Sequence, residues 1–265
     1  MRLAMILLSA ALRLSMAADA QSPAPPQAAP PSTAQGVEKN SLPAAPAPKP
    51  ISTEMRGDIA MARKMYREAI EFYKQVEPKT AVILNKLGIA HHQMMDLSGA
   101  KRYYEQSLKK NKQYPEAINN LGTVAYAQKS YRRAVGQYNK ALRYAPNSAS
   151  IYSNLGTAWF ARKKYDRAFE AYQKALELDP EVFEHRSTSG VLLQERSVEE
   201  RAKFHFYLAK TYAAAGVFDR ALLYIRKALE EGFKDKQKLI EDPAFASMKE
   251  TPEFQELLAL NPRVL

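Results

Sequence analysis

The sequence predicts an all-α solenoid built from antiparallel helix pairs, and three observations carry that reading. First, NLGTVAYAQKSYRRAVGQYNKALRYAP from Asn120 is rewritten as NLGTAWFARKKYDRAFEAYQKALELDP from Asn154, 34 residues on, with 14 of 27 letters shared. Second, the small and aromatic residues among the shared letters stand at fixed offsets from a glycine, and the same offsets recur through most of the chain after residue 51. Third, a hydrophobic content of 46% with 25% charge is that of a globular chain, and the absence of cysteine leaves packing as the means of holding it together. The lack of cysteine also excludes disulfides, zinc-cysteine sites, iron-sulfur ligation, lipoprotein acylation and thiol nucleophiles.

The first element is a leader. MRLAMILLSAALRLSMAADA has a positive start at Arg2, an apolar run from Leu3 to Leu12 and Ala18-Asp19-Ala20 as a small-x-small site, the pattern of a secretory signal cleaved after Ala20. The run falls short of the ~20 apolar residues of a membrane span, so no stable span is expected after cleavage. Residues 21–50 contain nine prolines and much alanine, a composition that favours extended polyproline-like linker over a packed element. At ~3.1 Å per residue such a tether reaches roughly 90 Å.

The repeats follow, over 51–232. From Gly122 an aromatic lies nine residues on (Tyr131), then Ala134, Tyr138, Ala141 and Pro146; Gly156 repeats every term with Tyr165, Ala168, Tyr172, Ala175 and Pro180. Gly88 gives Leu97, Ala100 and Tyr104, and Gly57 gives Tyr66, Ala69 and Tyr73. A fifth copy replaces the glycine by Ala209 and continues with Phe218, Ala221, Ile225 and Ala228. Glycine inside a helix costs roughly 1 kcal/mol against alanine, so its recurrence implies a close approach that returns the loss. The large side chains are expected to fill the space between neighbouring hairpins, and proline to stop each second helix.

The pattern resembles the tetratricopeptide repeat on Leu121-Gly122, Ala134, Tyr138, Ala141 and Pro146, and on Leu155-Gly156, Ala168, Tyr172, Ala175 and Pro180. That resemblance implies a right-handed superhelical solenoid with about five repeats, whose first helices line a concave groove for a polypeptide. Three departures stand out. The step from Gly57 to Gly88 is 31; the step from Gly156 to Ala209 is 53; and the family's bulky residue ahead of Leu121 is only Ile118, with Trp159 elsewhere. The surplus after Gly156 forms an insert at 181–199, read as an ordered loop against the solenoid, with Ser197 and Glu200 as a capping box for the next helix. Residues 233–265 carry short apolar clusters and prolines that suit small helices capping the open end of the stack.

The candidate binding residues lie on the first helix of each pair, two before the glycine position (Lys86, Asn120, Asn154) and one after it (Thr123, Thr157, Lys210), with Asn85 beside them. An amide carries donors and an acceptor together, so a row of asparagines suits the backbone of an extended peptide, as the resemblance also implies for Asn120 and Asn154. Tyr126 and Phe160 are expected as exposed aromatic contacts on the same face. The family's clamp for a terminal carboxylate is not expected, because its places hold Asn85 and Ile89, then Asn120, then Ser150 and Asn154, without the cations.

Other chemistry finds little support. His91, His92, Met94 and Met95 cluster as soft ligands would, but His91 occupies a slot held by Ala125 and Trp159 in other copies, so packing is expected rather than a metal site. Ser98-x-x-Lys101 and Ser107-x-x-Lys110 match the Ser-x-x-Lys pattern of acyl transferases, yet both lie inside a repeat, no Ser-Asp-Asn accompanies them, and Ser98 reads as a helix start. No phosphate loop, HExxH, GxSxG or EF-hand loop occurs. The expectation is therefore a non-catalytic protein-interaction scaffold without cofactor, exported to the periplasm or beyond, working in envelope assembly on a protein or peptide partner and not on nucleic acid. The net charge of +11 supports an alternative, a cell-wall or other anionic envelope polymer as partner.

Overall fold

Ser52 opens the first helix by accepting, on its side chain, the N–H of Met55, and α1 (Thr53–Ala62) turns back through Lys64 into α2 (Tyr66–Gln75). The same hairpin recurs as α3 (Ala81–Gln93) with α4 (Leu97–Lys110), α5 (Pro115–Ala127) with α6 (Tyr131–Leu142), and α7 (Ala149–Ala161) with α8 (Tyr165–Leu178). After the insert, α9 (Val198–Ala214) pairs with α10 (Phe218–Glu230). This computed structural model describes residues 50–184 and 197–259, within a compact unit spanning Lys49–Leu265. The expected leader, nearly all of the proline-rich linker and the middle of the insert lie outside the described residues.

Each second helix packs on its own first helix, α2, α4, α6 and α8 also on the first helix of the next pair, and α3, α5 and α7 touch in succession. That contact order makes an all-α solenoid in which the first helices form one layer and the second helices another. The hairpin turn is a left-handed residue seven places after each repeat's small residue: Lys64, Met95, Lys129 and Lys163 have φ of 60°, 61°, 58° and 58°, and Gly216 has 75°. At the third repeat Lys129 N–H donates to Tyr126 O at 2.8 Å and Ser130 N–H to Ala125 O at 2.8 Å, a Schellman closure that satisfies carbonyls the helix end leaves free.

The recurring glycine serves a ring rather than a backbone. A Cβ on Gly57, Gly88, Gly122 or Gly156 would stand 2.4–2.6 Å from the ring of Tyr73, Tyr104, Tyr138 or Tyr172, the buried tyrosine sixteen residues on in the same hairpin. These tyrosines thus pack inside their own hairpin, where the sequence suggested filling between hairpins. In the fifth repeat the methyl of Ala209 is matched by Ile225 in place of a tyrosine, and both are fully buried. The core runs along the stack as successive apolar clusters.

The segment beyond α10 closes that core. It comprises α11 (Lys236–Glu241), a 3-10 turn at Pro243–Met248 and α12 (Pro252–Ala259), and it buries Leu239, Phe245, Met248, Phe254 and Leu257 with residues of α9 and α10. At the start of the insert, Phe183 meets Tyr172 and Tyr212 edge-on at 5.5 and 6.0 Å. Ser197 caps α9 by accepting from Glu200 N–H at 3.2 Å.

Candidate binding groove

A cavity of about 740 Å³ runs across the first-helix layer, lined from α3 through α5 and α7 to α9. Its floor contains Asn119, Asn120, Thr123 and Asn154; Tyr126, Phe160, Tyr131 and Tyr165 contribute aromatic wall; Lys129, Lys163 and Lys203 stand with Glu199 and Glu200 among its charged lining.

The floor is an amide chain that crosses three repeats. Asn154 donates to Asn119 Oδ1 at 3.0 Å, Asn119 donates to Asn120 Oδ1 at 3.3 Å, and Asn120 donates to Asn85 Oδ1 at 3.0 Å. Thr123 and Thr157 repeat a second device. Each donates to the carbonyl four residues back, Asn119 at 3.3 Å and Ser153 at 3.0 Å, and accepts from a buried tyrosine, Tyr138 or Tyr172, at 3.3 Å. In the first repeat Asp58 takes the same role, accepting from Tyr73 at 2.8 Å.

Of the residues expected to bind, Asn120, Thr123, Tyr126, Asn154 and Phe160 line the cavity. Lys86 is held by Glu54 and Asp58 of the preceding repeat, each at 2.7 Å, and Lys210 by Asp242 at 2.7 Å, so both cations are engaged within the chain. Asn85 is buried beneath Asn120. Tyr126 and Phe160, expected as exposed contacts, are only 7% and 4% exposed. Tyr131 covers Tyr126 at 5.1 Å, while Tyr165, Phe204 and Tyr207 close on Phe160 at 5.2, 5.5 and 6.0 Å, leaving ring edges to form the wall. Asn154 is 8% exposed, so the expected free row of amides is a row already bonded to itself.

A sequence profile described as a tetratricopeptide repeat matches residues 85–138 and 120–182, the span that forms this groove's central hairpins. Residues 85–182 are tetratricopeptide repeats. Its solenoid is similar to the crystal structure of the APC/C hetero-tetramer Cut9-Hcn1, at 18% identity over 78% of this chain and 35% of that one, with a TM-score of 0.50. MamA 41-end from Desulfovibrio magneticus RS-1 aligns at 22% identity over 69% of this chain and 94% of that one, with a TM-score of 0.46. No curated protein sequence matches the chain.

Beyond the residues expected to bind, the groove acquires Asn119, Lys129, Lys163, Lys203, His92 and Tyr104. Asn119 lies three places before Gly122, one before the asparagine that the pattern singled out. Burial alone holds His92 below the usual imidazole range, which keeps that wall neutral at neutral pH. Lys203 sits 5.4 Å from the Tyr165 ring, so one rim cation rests on the aromatic wall.

The serines weighed for acyl transfer are placed differently. Ser107 is fully buried and donates to Ala81 O at 2.7 Å, tying α4 to the start of α3. Ser98 is exposed inside α4, and the cap of that helix is Asp96, which accepts from Gly99 N–H at 2.8 Å. His91 pairs Nδ1 with the same Asp96 at 2.8 Å and lies 5.0 Å from the Tyr103 ring, a packed position; its Nε2 is buried without a hydrogen-bond partner.

Proposed function

We propose that this protein is a non-catalytic scaffold that holds an extended polypeptide in the groove of its first-helix layer. The observation that carries the reading is a continuous cavity that crosses four hairpins, with amides and threonines on its floor, aromatic walls and lysines at its edge. Asn120 spends one donor on Asn85 and one lone pair on Asn119, leaving an N–H and a lone pair for a ligand backbone. An extended chain must be ordered on binding, so affinity near 1 μM, about −8 kcal/mol, is expected. The leader-like start of the sequence supports export and a role in the cell envelope.

The test is selection of binders from a random peptide library displayed on phage, followed by fluorescence anisotropy on a synthesised hit. Asn120→Ala with Asn154→Ala, checked by circular dichroism below its melting temperature, should lose the peptide, and high salt should leave wild-type binding largely intact. Unchanged affinity in that variant would reject the groove.

A second reading, an anionic envelope polymer as partner, is favoured by the exposed cations Lys101, Arg102, Lys109, Lys110, Arg132, Arg133 and Lys140 on α4 and α6. Binding through these residues would collapse with added salt.

A further inference from the structure

Four buried tyrosines occupy the same place in successive hairpins, and three of them spend the hydroxyl inside the chain. Tyr73 donates to Asp58, Tyr138 to Thr123 and Tyr172 to Thr157, in each case to the residue that follows the repeat's glycine. In the second hairpin that place is taken by Ile89, which has no acceptor. Tyr104 is 1% exposed, lines the groove together with Ile89, Leu97 and Thr123, and its hydroxyl makes no hydrogen bond among the described residues. Among the described residues His91 Nε2 is the one fully enclosed side-chain polar atom without a partner, so the Tyr104 oxygen keeps a little accessible surface, and as a groove-lining residue it can present its donor there to water or to a ligand.

We propose that the Tyr104 hydroxyl is a donor on the groove floor that takes a backbone carbonyl oxygen of the bound polypeptide, an assignment that rests on the peptide-binding reading above. Burial pushes the Tyr104 phenol well above its ordinary range, so it keeps its proton and acts as donor at neutral pH. The acceptor is neutral because the surroundings are. Ile89 and Leu97 are apolar, His92 is held in its uncharged form, and burial is the whole cause of the Tyr104 shift, with no charged group acting on it. A carboxylate would enter such a place without a counter-charge, whereas a peptide carbonyl needs only the donor. The ring cannot swing away to find another partner, since it fills the space over Gly88, where a Cβ would lie 2.4 Å from it.

The experiment uses the full chain and a fluorescent peptide taken from the library selection. Tyr104→Phe should weaken binding about five- to tenfold, the loss of one hydrogen bond, with the melting temperature unchanged. Ile89→Thr should weaken it similarly by supplying the internal acceptor that the third and fourth hairpins have, and adding Tyr104→Phe to it should cause no further loss. In Tyr138→Phe the pattern reverses: stability falls and affinity holds. Unaltered affinity in Tyr104→Phe, while Asn120→Ala with Asn154→Ala abolishes binding, overturns the assignment and leaves the groove standing. A penalty that vanishes when one acidic residue of the peptide is replaced by its amide overturns the choice of a backbone carbonyl. Failure to select any peptide overturns the reading and the assignment together.

Discussion

At the scale of single residues, the glycine-tyrosine pair sets the geometry of each hairpin. In Gly122→Ala the new methyl would meet Tyr138 Cε1 at 2.6 Å, and that ring, 1% exposed, has nowhere to go. Alanine is the better helix former by about 1 kcal/mol, so steric and propensity terms oppose each other. Overpacking of an enclosed ring runs to about 1–3 kcal/mol and decides the sign. Gly122→Ala should therefore lower stability in urea denaturation, and Tyr138→Ile in the same chain should recover part of the loss, since Ala209 with Ile225 is that combination in the fifth hairpin. A loss that Tyr138→Ile only deepens would show that the clash lies elsewhere.

At the scale of elements, the amide chain ties α3, α5 and α7 edge to edge. Asn120→Ala takes the donor from Oδ1 of the buried Asn85 and removes the acceptor for Asn119, so a loss of about 1–3 kcal/mol is expected from chemical denaturation even with no ligand present. A change below a few tenths of a kcal/mol would mean that water replaces the amide. The repeat offsets made the hairpins legible in the sequence, because small and aromatic letters recur at the period of the structure, but not the partner of each glycine, since an offset of sixteen does not say that the tyrosine ring packs inside its own hairpin. The left-handed turn residues were not legible, since lysine has no preference for positive φ and only Gly216 announces itself. Nor were the partners of Lys86 and Lys210, Asp58 and Asp242, because pairings across repeats follow from stacking rather than from spacing. Phe160 read as exposed for a similar reason: α9 returns after the long insert and lays Phe204 and Tyr207 against it.

At the scale of the whole molecule, stability should depend on pH through two histidines on separate hairpins. Burial holds His92 and His205 below the usual imidazole range, and for His205 it outweighs the pull of Glu231, which accepts at 2.7 Å. The unfolded chain then binds more protons than the folded one as pH falls past an ordinary imidazole value near ~6.5, so stability rises with pH through that region and is lost below it. The melting temperature should fall between about pH 7 and pH 5, and His92→Gln should flatten part of the slope. A flat profile would mean that neither ring is desolvated in solution.

The same solenoid presents two faces with different chemistry, a groove with an amide floor and a cation-rich outer layer on α4 and α6. Which face binds is open to direct observation: a photo-crosslinking amino acid placed at Thr123, on the groove floor, or at Arg133, exposed on α6, with the library-selected peptide added to each. Crosslinking at Thr123 and not at Arg133 is the expected result. Crosslinking at Arg133 alone would contradict the account.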